Sequence, residues 1–249
     1  MSSENLAAPP TKRFLILGLP RSGTTYLMTL LNAHRDVFCS GEQFNPYAVV
    51  GVDSDDMSVE SVVGRDRAPL HFMKTFFETT EAQGHVRTGF KFMIGHNIRV
   101  LSALAEQKDL TLIYVHRKNK LAQVSSLIKA IETQNWAQLE EDDHIQRKIA
   151  AGPRRLSQLW HEYETYDFLF ADWFAKLPQR KATLEYREMF HPGFEAKICE
   201  FLGIGHDPQM KSPLVKQGTN NILDRFEYRK EIADYFEAVG FEHWLDPEL

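Results

Sequence analysis

Short apolar runs alternate along the chain with segments in which apolar residues recur every three or four positions. The runs over 14–18 and 110–116 lack polar alternation, which is typical of strands buried on both faces. The segments 86–94 and 181–186 have the composition of further strands. Because helical patterns separate these strands, the sequence predicts an α/β fold in which a parallel β-sheet core is flanked by helices, in three layers.

Helical spacing marks the segments between and after the predicted strands. These segments start near Tyr26, Val100, Leu121, Pro153 and Gly193. The segment that starts at Pro153 keeps its pattern to Leu177, which predicts a long amphipathic helix with aromatic residues packed in the core. The stretch 49–67 has the weakest pattern, and we predict a loop or lid there.

Composition and charge bound the class of protein. The 249 residues are 43% hydrophobic and 25% charged, as in an average soluble globular protein. The sequence predicts a disordered tail over residues 1–11 and a single domain over residues 12–249. The net charge of −5 argues against a nucleic-acid-binding protein that relies on many phosphate contacts. No segment has the length and apolarity of a signal peptide or a membrane span, so we expect a cytoplasmic protein.

The cysteines and histidines do not indicate a metal site or a disulfide framework. Cys39 and Cys199 are the two cysteines of the chain, and they lie far apart in the sequence. The histidines do not have the spacing of metal ligands. We therefore expect a reduced compartment, and we assign no histidine as a metal ligand.

The segment from Gly18 to Thr25, GLPRSGTT, has the two glycines of a nucleotide P-loop between a predicted strand and a predicted helix. Backbone N–H groups at such a helix start, together with the helix dipole, attract an anion. A P-loop kinase has lysine where Thr24 stands, whereas here the cation is Arg21. This P-loop-like arrangement favours a phosphate or sulfate ligand other than ATP·Mg²⁺. The alternative is a glycine-rich turn with Ser22 as the helix N-cap.

At PRSGTTYL the chain resembles the sulfotransferases that depend on PAPS (3′-phosphoadenosine-5′-phosphosulfate), and YVHRKNKLAQVSSLIKA resembles their second motif. In that motif an arginine at a strand end and a serine on the next helix bind the 3′-phosphate. The segment TLEYREMF resembles a third element of the family, a strand that ends in a tyrosine, and the resemblance implies that this tyrosine lies near the adenine. The resemblance implies these nucleotide-binding residues: Pro20, Arg21, Ser22, Gly23, Thr24, Thr25, Arg117, Ser125, Ser126, Tyr186 and Lys216.

Some of these assignments have plain structural alternatives. Taken alone, Arg117 is most simply interpreted as a surface charge beside Lys118 and Lys120. The interpretation of Arg117 as a phosphate ligand is favoured only when it is combined with the loop Gly18–Thr25. Tyr186 is equally well an ordinary aromatic residue at a strand end. The choice between Ser125 and Ser126 stays open. Lys216 is proposed because the segment 213–226 stands where cytosolic sulfotransferases have their late RKGxxGDW element, which is absent here.

The segments SGEQFNP and LAQVSSLIKAIETQNW are most similar to bacterial carbohydrate sulfotransferases of the trehalose and Nod-factor type. That resemblance implies Glu42 as the general base, with a pKa that its surroundings would have to raise. His96 is the second candidate base, and Lys91 is a further catalytic candidate on the preceding strand; a purely structural role is the alternative for both. Arg21 would meet the negative charge that grows on the leaving phosphate.

The resulting hypothesis is sulfuryl transfer from PAPS to a hydroxyl group of a carbohydrate or glycolipid acceptor, with PAP as the product and no metal required. It depends on Arg21 and Arg117 binding opposite ends of one doubly phosphorylated adenosine. Two alternatives remain: an atypical P-loop kinase and a catalytically inactive nucleotide-binding module. The acceptor identity and a homodimeric state are left open by the sequence.

Overall fold

The computed structural model describes residues 2–5, 9–50, 55–136, 147–214 and 218–249. Within these ranges a six-stranded sheet has the strand order β1-β6-β5-β2-β4-β3. Its strands are β1 (Ser2–Asn5), β2 (Arg13–Gly18), β3 (Val37–Glu42), β4 (Arg87–Met93), β5 (Leu110–His116) and β6 (Lys181–Glu185). All neighbours pair in parallel except β1, which runs antiparallel to β6. The α/β fold class and its P-loop-like parallel sheet are therefore confirmed.

The described ranges also contain eight α-helices. They are α1 (Thr24–Asn32), α2 (Val59–Arg67), α3 (Pro69–Glu81), α4 (Ile98–Ala103), α5 (Lys120–Thr133), α6 (Pro153–Ala175), α7 (Phe194–Leu202) and α8 (Arg229–Ala238). None of them has both the length and the apolar character that a membrane-spanning segment needs. The five predicted helix segments are confirmed by α1, α4, α5, α6 and α7.

The residues group into two compact units. The first comprises Met1–His116 and Trp173–Ser212, and it holds the sheet with α1–α4 and α7. The second comprises Arg117–Asp172 and Pro213–Leu249, and it holds α5, α8 and most of α6. The sequence predicts one domain over 12–249 and a disordered tail over 1–11, whereas Ser2–Asn5 within that tail form β1.

The apolar runs become the centre of the sheet in the first unit. Side chains 14–17 of β2 are completely buried, as the absence of polar alternation predicts. β2 lies between β5 and β4, so its carboxyl end is where the strand order changes direction. Ligands of open α/β sheets bind outside the carboxyl ends of the strands at such a point. The loop after Gly18 lies there.

Two elements differ from the sequence-based expectation. The strand β3 is not predicted, because Ser40 and Gly41 interrupt its apolar residues. The prediction of a loop over 49–67 is wrong for Val59–Arg67, which forms α2, capped by the Ser58 side chain accepting from the Ser61 N–H at 3.2 Å. α2 buries one residue, Arg65, so an apolar periodicity is absent from its sequence.

Candidate active site

The loop between β2 and α1 has the backbone of an anion-binding turn. Arg21 has φ 64° and Gly23 has φ 103°, so two residues within three positions adopt the left-handed conformation. For Arg21 this conformation costs about 1–2 kcal/mol, and strain of this kind concentrates at functional sites. The side chain of Ser22 is buried, and among the described residues its hydroxyl has no hydrogen-bond partner. A buried hydroxyl left without a partner fits a site that binds an anion.

The alternative interpretation of this loop, with Ser22 as the N-cap of α1, is wrong. Gly23 occupies the N-cap position, and no side chain accepts a hydrogen bond there. The first N–H groups of α1 are therefore left to a ligand or to water. Thr24 is buried at the first position of the helix, and the half-buried Thr25 follows it.

The glycines of the loop are required by close packing. A Cβ on Gly18 would lie 2.6 Å from Ser22 Oγ and 2.8 Å from the carbonyl oxygen of Val115. A Cβ on Gly23 would lie 2.6 Å from both Tyr186 Cδ2 and Met189 Cε. Tyr186 is thus placed directly against the loop Gly18–Thr25, which we call the phosphate loop, and is buried. Its contact with adenine stays a prediction.

We expect Gly23→Ala to destabilise the protein by several kcal/mol, because it combines left-handed strain with a steric clash against Tyr186. Gly84→Ala is the matched control: Gly84 has φ 89°, but an added Cβ meets nothing within 4 Å. The control should therefore lose only the ~1–2 kcal/mol of backbone strain. Urea unfolding of both variants measures the difference, and equal losses would contradict the packing argument.

The unpredicted strand β3 places Glu42 beside Lys91. Glu42 is paired in register with Lys91 of β4, after an irregularity between Ser40 and Glu42. Lys91 Nζ lies 2.8 Å from Glu42 Oε1 and donates a hydrogen bond of 2.8 Å to Thr25 Oγ1. The Lys91 side chain is buried, so this ammonium connects the phosphate loop to Glu42 through two short contacts.

The second carboxylate oxygen of Glu42 faces Asn45 and His96. Asn45 Nδ2 donates to Glu42 Oε2 at 3.0 Å, and His96 Nε2 lies 3.9 Å from the same oxygen. The other ring nitrogen of His96, Nδ1, is buried without a hydrogen-bond partner among the described residues. The structure thus brings together Glu42, Lys91 and His96, the candidates named from the sequence, and adds Asn45. Their catalytic roles stay predictions.

The electrostatics of this cluster separate the two candidate bases. Burial raises the pKa of the Glu42 carboxyl, but the ammonium of Lys91 and its hydrogen bond, together with His96 and Asn45, bring that pKa below its usual value. Burial lowers the pKa of His96; Glu42 opposes this, whereas Lys91 and Arg65 add to it. At neutral pH Glu42 is therefore ionised and His96 is neutral. The raised pKa that a general base at this position would need is therefore not seen here, because Lys91, His96 and Asn45 together outweigh burial.

A second cluster of charges forms within the second unit. Arg117 follows β5 in the chain, is 5% exposed and pairs with the buried carboxylate of Glu248. Arg225 Nη2 lies 2.8 Å from the other oxygen of Glu248, and Arg225 Nη1 donates to Ser125 Oγ at 3.0 Å. Arg117 and Ser125 are thus parts of one buried cluster. The interpretation of Arg117 as a surface charge is wrong.

This cluster also bears on the residues that the sequence left open. Ser125 is completely buried and contacts Arg225, whereas Ser126 is half-buried on the next position of α5. Ser125 is therefore the better placed of the two hydroxyls. Lys216 lies outside the described residues. Sequence reasoning missed Arg225 and Glu248; the one available signal was that Arg225 lies in the segment 213–226 already singled out.

Comparison with known proteins assigns the chain to a family. Residues 13–208 match the family model described as the sulfotransferase family. The match covers more than half of the chain, and the chain therefore belongs to the sulfotransferase family. Sulfuryl transfer is the reaction of that family, and the loop, the carboxylate and the buried lysine described above lie within the matched residues.

Two relatives align over most of this chain. Nodulation protein H of Rhizobium tropici is 24% identical over 256 residues, which cover 96% of this chain and 94% of that protein. Nodulation protein H of Rhizobium meliloti (strain 1021) is 25% identical over 235 residues, 88% of this chain and 85% of that protein. Among solved structures, the sulfotransferase domain of the Synechococcus PCC 7002 olefin synthase aligns with a TM-score of 0.47 at 14% identity, over 86% of this chain and 80% of that chain.

Proposed function

We propose that this protein transfers a sulfuryl group from PAPS to a hydroxyl group of a carbohydrate or glycolipid acceptor, with Glu42 as the general base. The observation that carries the proposal is the position of Lys91, whose ammonium lies 2.8 Å from both Thr25 of the phosphate loop and Glu42. An anion bound by the loop would thereby lie beside a carboxylate able to accept a proton. Transfer between a phosphosulfate and a hydroxyl needs this juxtaposition.

The loop residues supply the donor side of the proposed reaction. Backbone N–H groups at the start of α1 and the buried hydroxyl of Ser22 would hold the phosphosulfate, and Arg21 would offset the charge that grows on the leaving phosphate. As the S–O bond to that phosphate breaks, a new S–O bond forms to the acceptor oxygen. Glu42 would take the proton of the acceptor hydroxyl, which leaves a sulfate ester and PAP.

Lys91 would couple donor binding to the strength of the base. A carboxylate with a lowered pKa is a weak base, because its proton affinity is small. An anion held beside Thr25 would attract the Lys91 ammonium away from Glu42, and the pKa of Glu42 would then rise. Glu42 would thus gain proton affinity when the donor is in place. His96, which is neutral at neutral pH, is the second candidate base.

The remaining nucleotide contacts are proposed from the second cluster and from Tyr186. Arg117 and Arg225 offer two guanidinium groups suited to the 3′-phosphate, and Ser125 would add its hydroxyl by turning it away from the Ala122 carbonyl oxygen, to which it now donates at 2.9 Å. Tyr186 packs against Gly23 and would contact the adenine. Glu248 now accepts from both guanidinium groups, so phosphate binding would require its carboxylate to share or leave these donors.

The direct test combines transfer and binding measurements. Purified protein is incubated with ³⁵S-labelled PAPS and a panel of sugars and glycolipids, and thermal stabilisation by PAP is compared with that by ATP·Mg²⁺. We expect labelled ester on at least one acceptor and stabilisation by PAP alone. Stabilisation by ATP·Mg²⁺ without PAP binding would indicate a kinase. PAP binding with no transfer, and no effect of Glu42→Gln, would indicate an inactive nucleotide-binding module.

Replacing Lys91 by methionine should move the pH dependence of the reaction. Removing the ammonium takes away the main effect that lowers the pKa of Glu42, so this pKa rises and the carboxylate becomes protonated at higher pH. We expect the acid limb of the kcat/KM profile to shift to higher pH in Lys91→Met. Lys74→Met, which removes an exposed lysine on α3, is the control. An unmoved acid limb in Lys91→Met would contradict the coupling of Lys91 to the base.

A further inference from the structure

α2 is held to the first unit by an unusual anchor. Surface helices are normally fixed by an apolar stripe, but the residue that α2 buries is Arg65, which is 3% exposed. Arginine is among the residues least often buried, and it is buried only where its donors are used. The contacts of Arg65 therefore indicate the structural role of α2.

The guanidinium of Arg65 binds the loop that follows Glu42. Nη1 donates to three carbonyl oxygens, those of Gln43 at 3.3 Å, Asn45 at 2.7 Å and Ala48 at 3.0 Å. Nε donates to Asp66 Oδ1 at 2.9 Å, and the guanidinium carbon lies 5.7 Å from the centre of the Phe44 ring. One buried cation thus fixes the backbone of the segment 43–48 at three points.

The segment 43–48 in turn orients Glu42. Asn45 accepts from Arg65 through its carbonyl oxygen, and its side chain donates to Glu42 Oε2 at 3.0 Å. The Asn45 N–H also donates to the Glu42 carbonyl at 2.9 Å, which closes a turn. With Oε2 held by Asn45 and Oε1 beside Lys91, the carboxylate has little freedom to rotate. Rigid support of this kind preserves the geometry that a general base needs.

We infer that Arg65 is a positioning residue for the transfer reaction: it anchors the segment 43–48 so that Asn45 orients the carboxylate of Glu42 toward the acceptor hydroxyl. The inference rests on the proposed function, since it takes Glu42 as the base. Arg65 also contributes to the field at His96, whose imidazole faces the charges of Glu42, Lys91 and Arg65. Arg65 would therefore influence both candidate bases without contacting the substrate.

The test uses the full chain and separates positioning from folding. Arg65→Ala should lower kcat by about 10- to 100-fold while KM for PAPS changes little, because the loop at Gly18–Thr25 is untouched. Added guanidinium at low concentration should restore part of kcat, and sodium chloride at the same ionic strength should not. Arg67→Ala is the matched control: it removes an exposed arginine from the same helix and should leave kcat unchanged.

Asn45→Ala keeps the inference testable if Arg65→Ala does not fold. Asn45 is half-buried, and its removal frees Glu42 Oε2 without disturbing the carbonyl contacts of Arg65. We expect the same loss of kcat at a nearly constant KM for PAPS. A folded Arg65→Ala or Asn45→Ala variant with the kcat and pH profile of the wild-type protein would overturn the inference.

Glu42→Gln, measured in parallel, distinguishes failure of the inference from failure of the proposed function. If Glu42→Gln is inactive while the Arg65 and Asn45 variants keep full activity, the positioning role alone is wrong. If Glu42→Gln keeps wild-type activity, the assignment of the base is wrong, and the inference fails with it whatever Arg65→Ala does.

Discussion

Replacing Glu42 by glutamine should lower kcat by about 10²- to 10⁴-fold, the usual contribution of a general base. Glutamine keeps the size of the side chain and its contact distance to Asn45, but it cannot accept a proton and it loses the ion pair with Lys91. Glu60→Gln, on the exposed face of α2, is the control and should retain full activity. Single-turnover rates with saturating PAPS measure the chemical step, so a change in product release does not obscure the result.

The pH profile identifies which of the two bases accepts the proton. In kcat/KM the acid limb reports the pKa of the base in the free enzyme. For Glu42 this limb should lie below the usual range of a glutamate, because burial raises the pKa of the carboxyl less than Lys91, His96 and Asn45 together lower it. For His96 it should lie below the usual range of a histidine, because burial lowers the pKa of the imidazole. A limb that disappears in His96→Gln and persists in Glu42→Gln would reverse the assignment.

Much of the fold could be predicted because the central strands are buried on both faces. In a strand such as β2, side chains 14–17 are all fully buried, so the sequence contains a continuous apolar run. Such a run can be recognised without knowing which strands pair with it. The strand β3 and the helix α2 could not be predicted in this way. β3 contains Ser40 and Gly41, and α2 buries an arginine, so neither has the periodicity on which the prediction depends.

Some parts of the candidate site could likewise be predicted from the sequence, and others could not. The phosphate loop is local, so its strand, glycines and helix are visible within residues 13–32. The naming of Glu42 depends on a resemblance, whereas its pairing with Lys91 depends on the register between β3 and β4. The direction of the pKa shift of Glu42 depends on that pairing, and this is why the sequence alone could not show it.

The long-range contacts in the second unit could not be predicted either, because they too join residues that are far apart in the sequence. Arg225 contacts Ser125 across 100 positions, and Arg117 pairs with Glu248 across 131 positions. A single sequence gives no signal for such pairs, because each charged residue separately reads as a solvated surface group. Their burial is what makes them informative, since a buried carboxylate between two guanidinium groups marks a place where an anion is stabilised.

Replacing Arg117 by methionine should destabilise the protein by about 3–5 kcal/mol, because it leaves the buried carboxylate of Glu248 with one cation fewer. The double variant Arg117→Met/Glu248→Gln removes that charge as well and should recover part of the loss. Urea unfolding of the two single variants and the double variant gives the coupling energy of the pair. Additive losses would contradict a direct interaction between these side chains.

Binding of PAP separates this structural role from the proposed contact with the 3′-phosphate. We expect both variants that lack Arg117 to bind PAP at least tenfold more weakly, because recovered stability does not restore the missing guanidinium. Glu248→Gln keeps Arg117 and Arg225 and removes only the negative charge between them, so PAP binding should not weaken. Calorimetric titration of the folded variants measures these affinities. Wild-type affinity in Arg117→Met/Glu248→Gln would show that Arg117 serves the fold alone, and the 3′-phosphate would then have to be bound elsewhere.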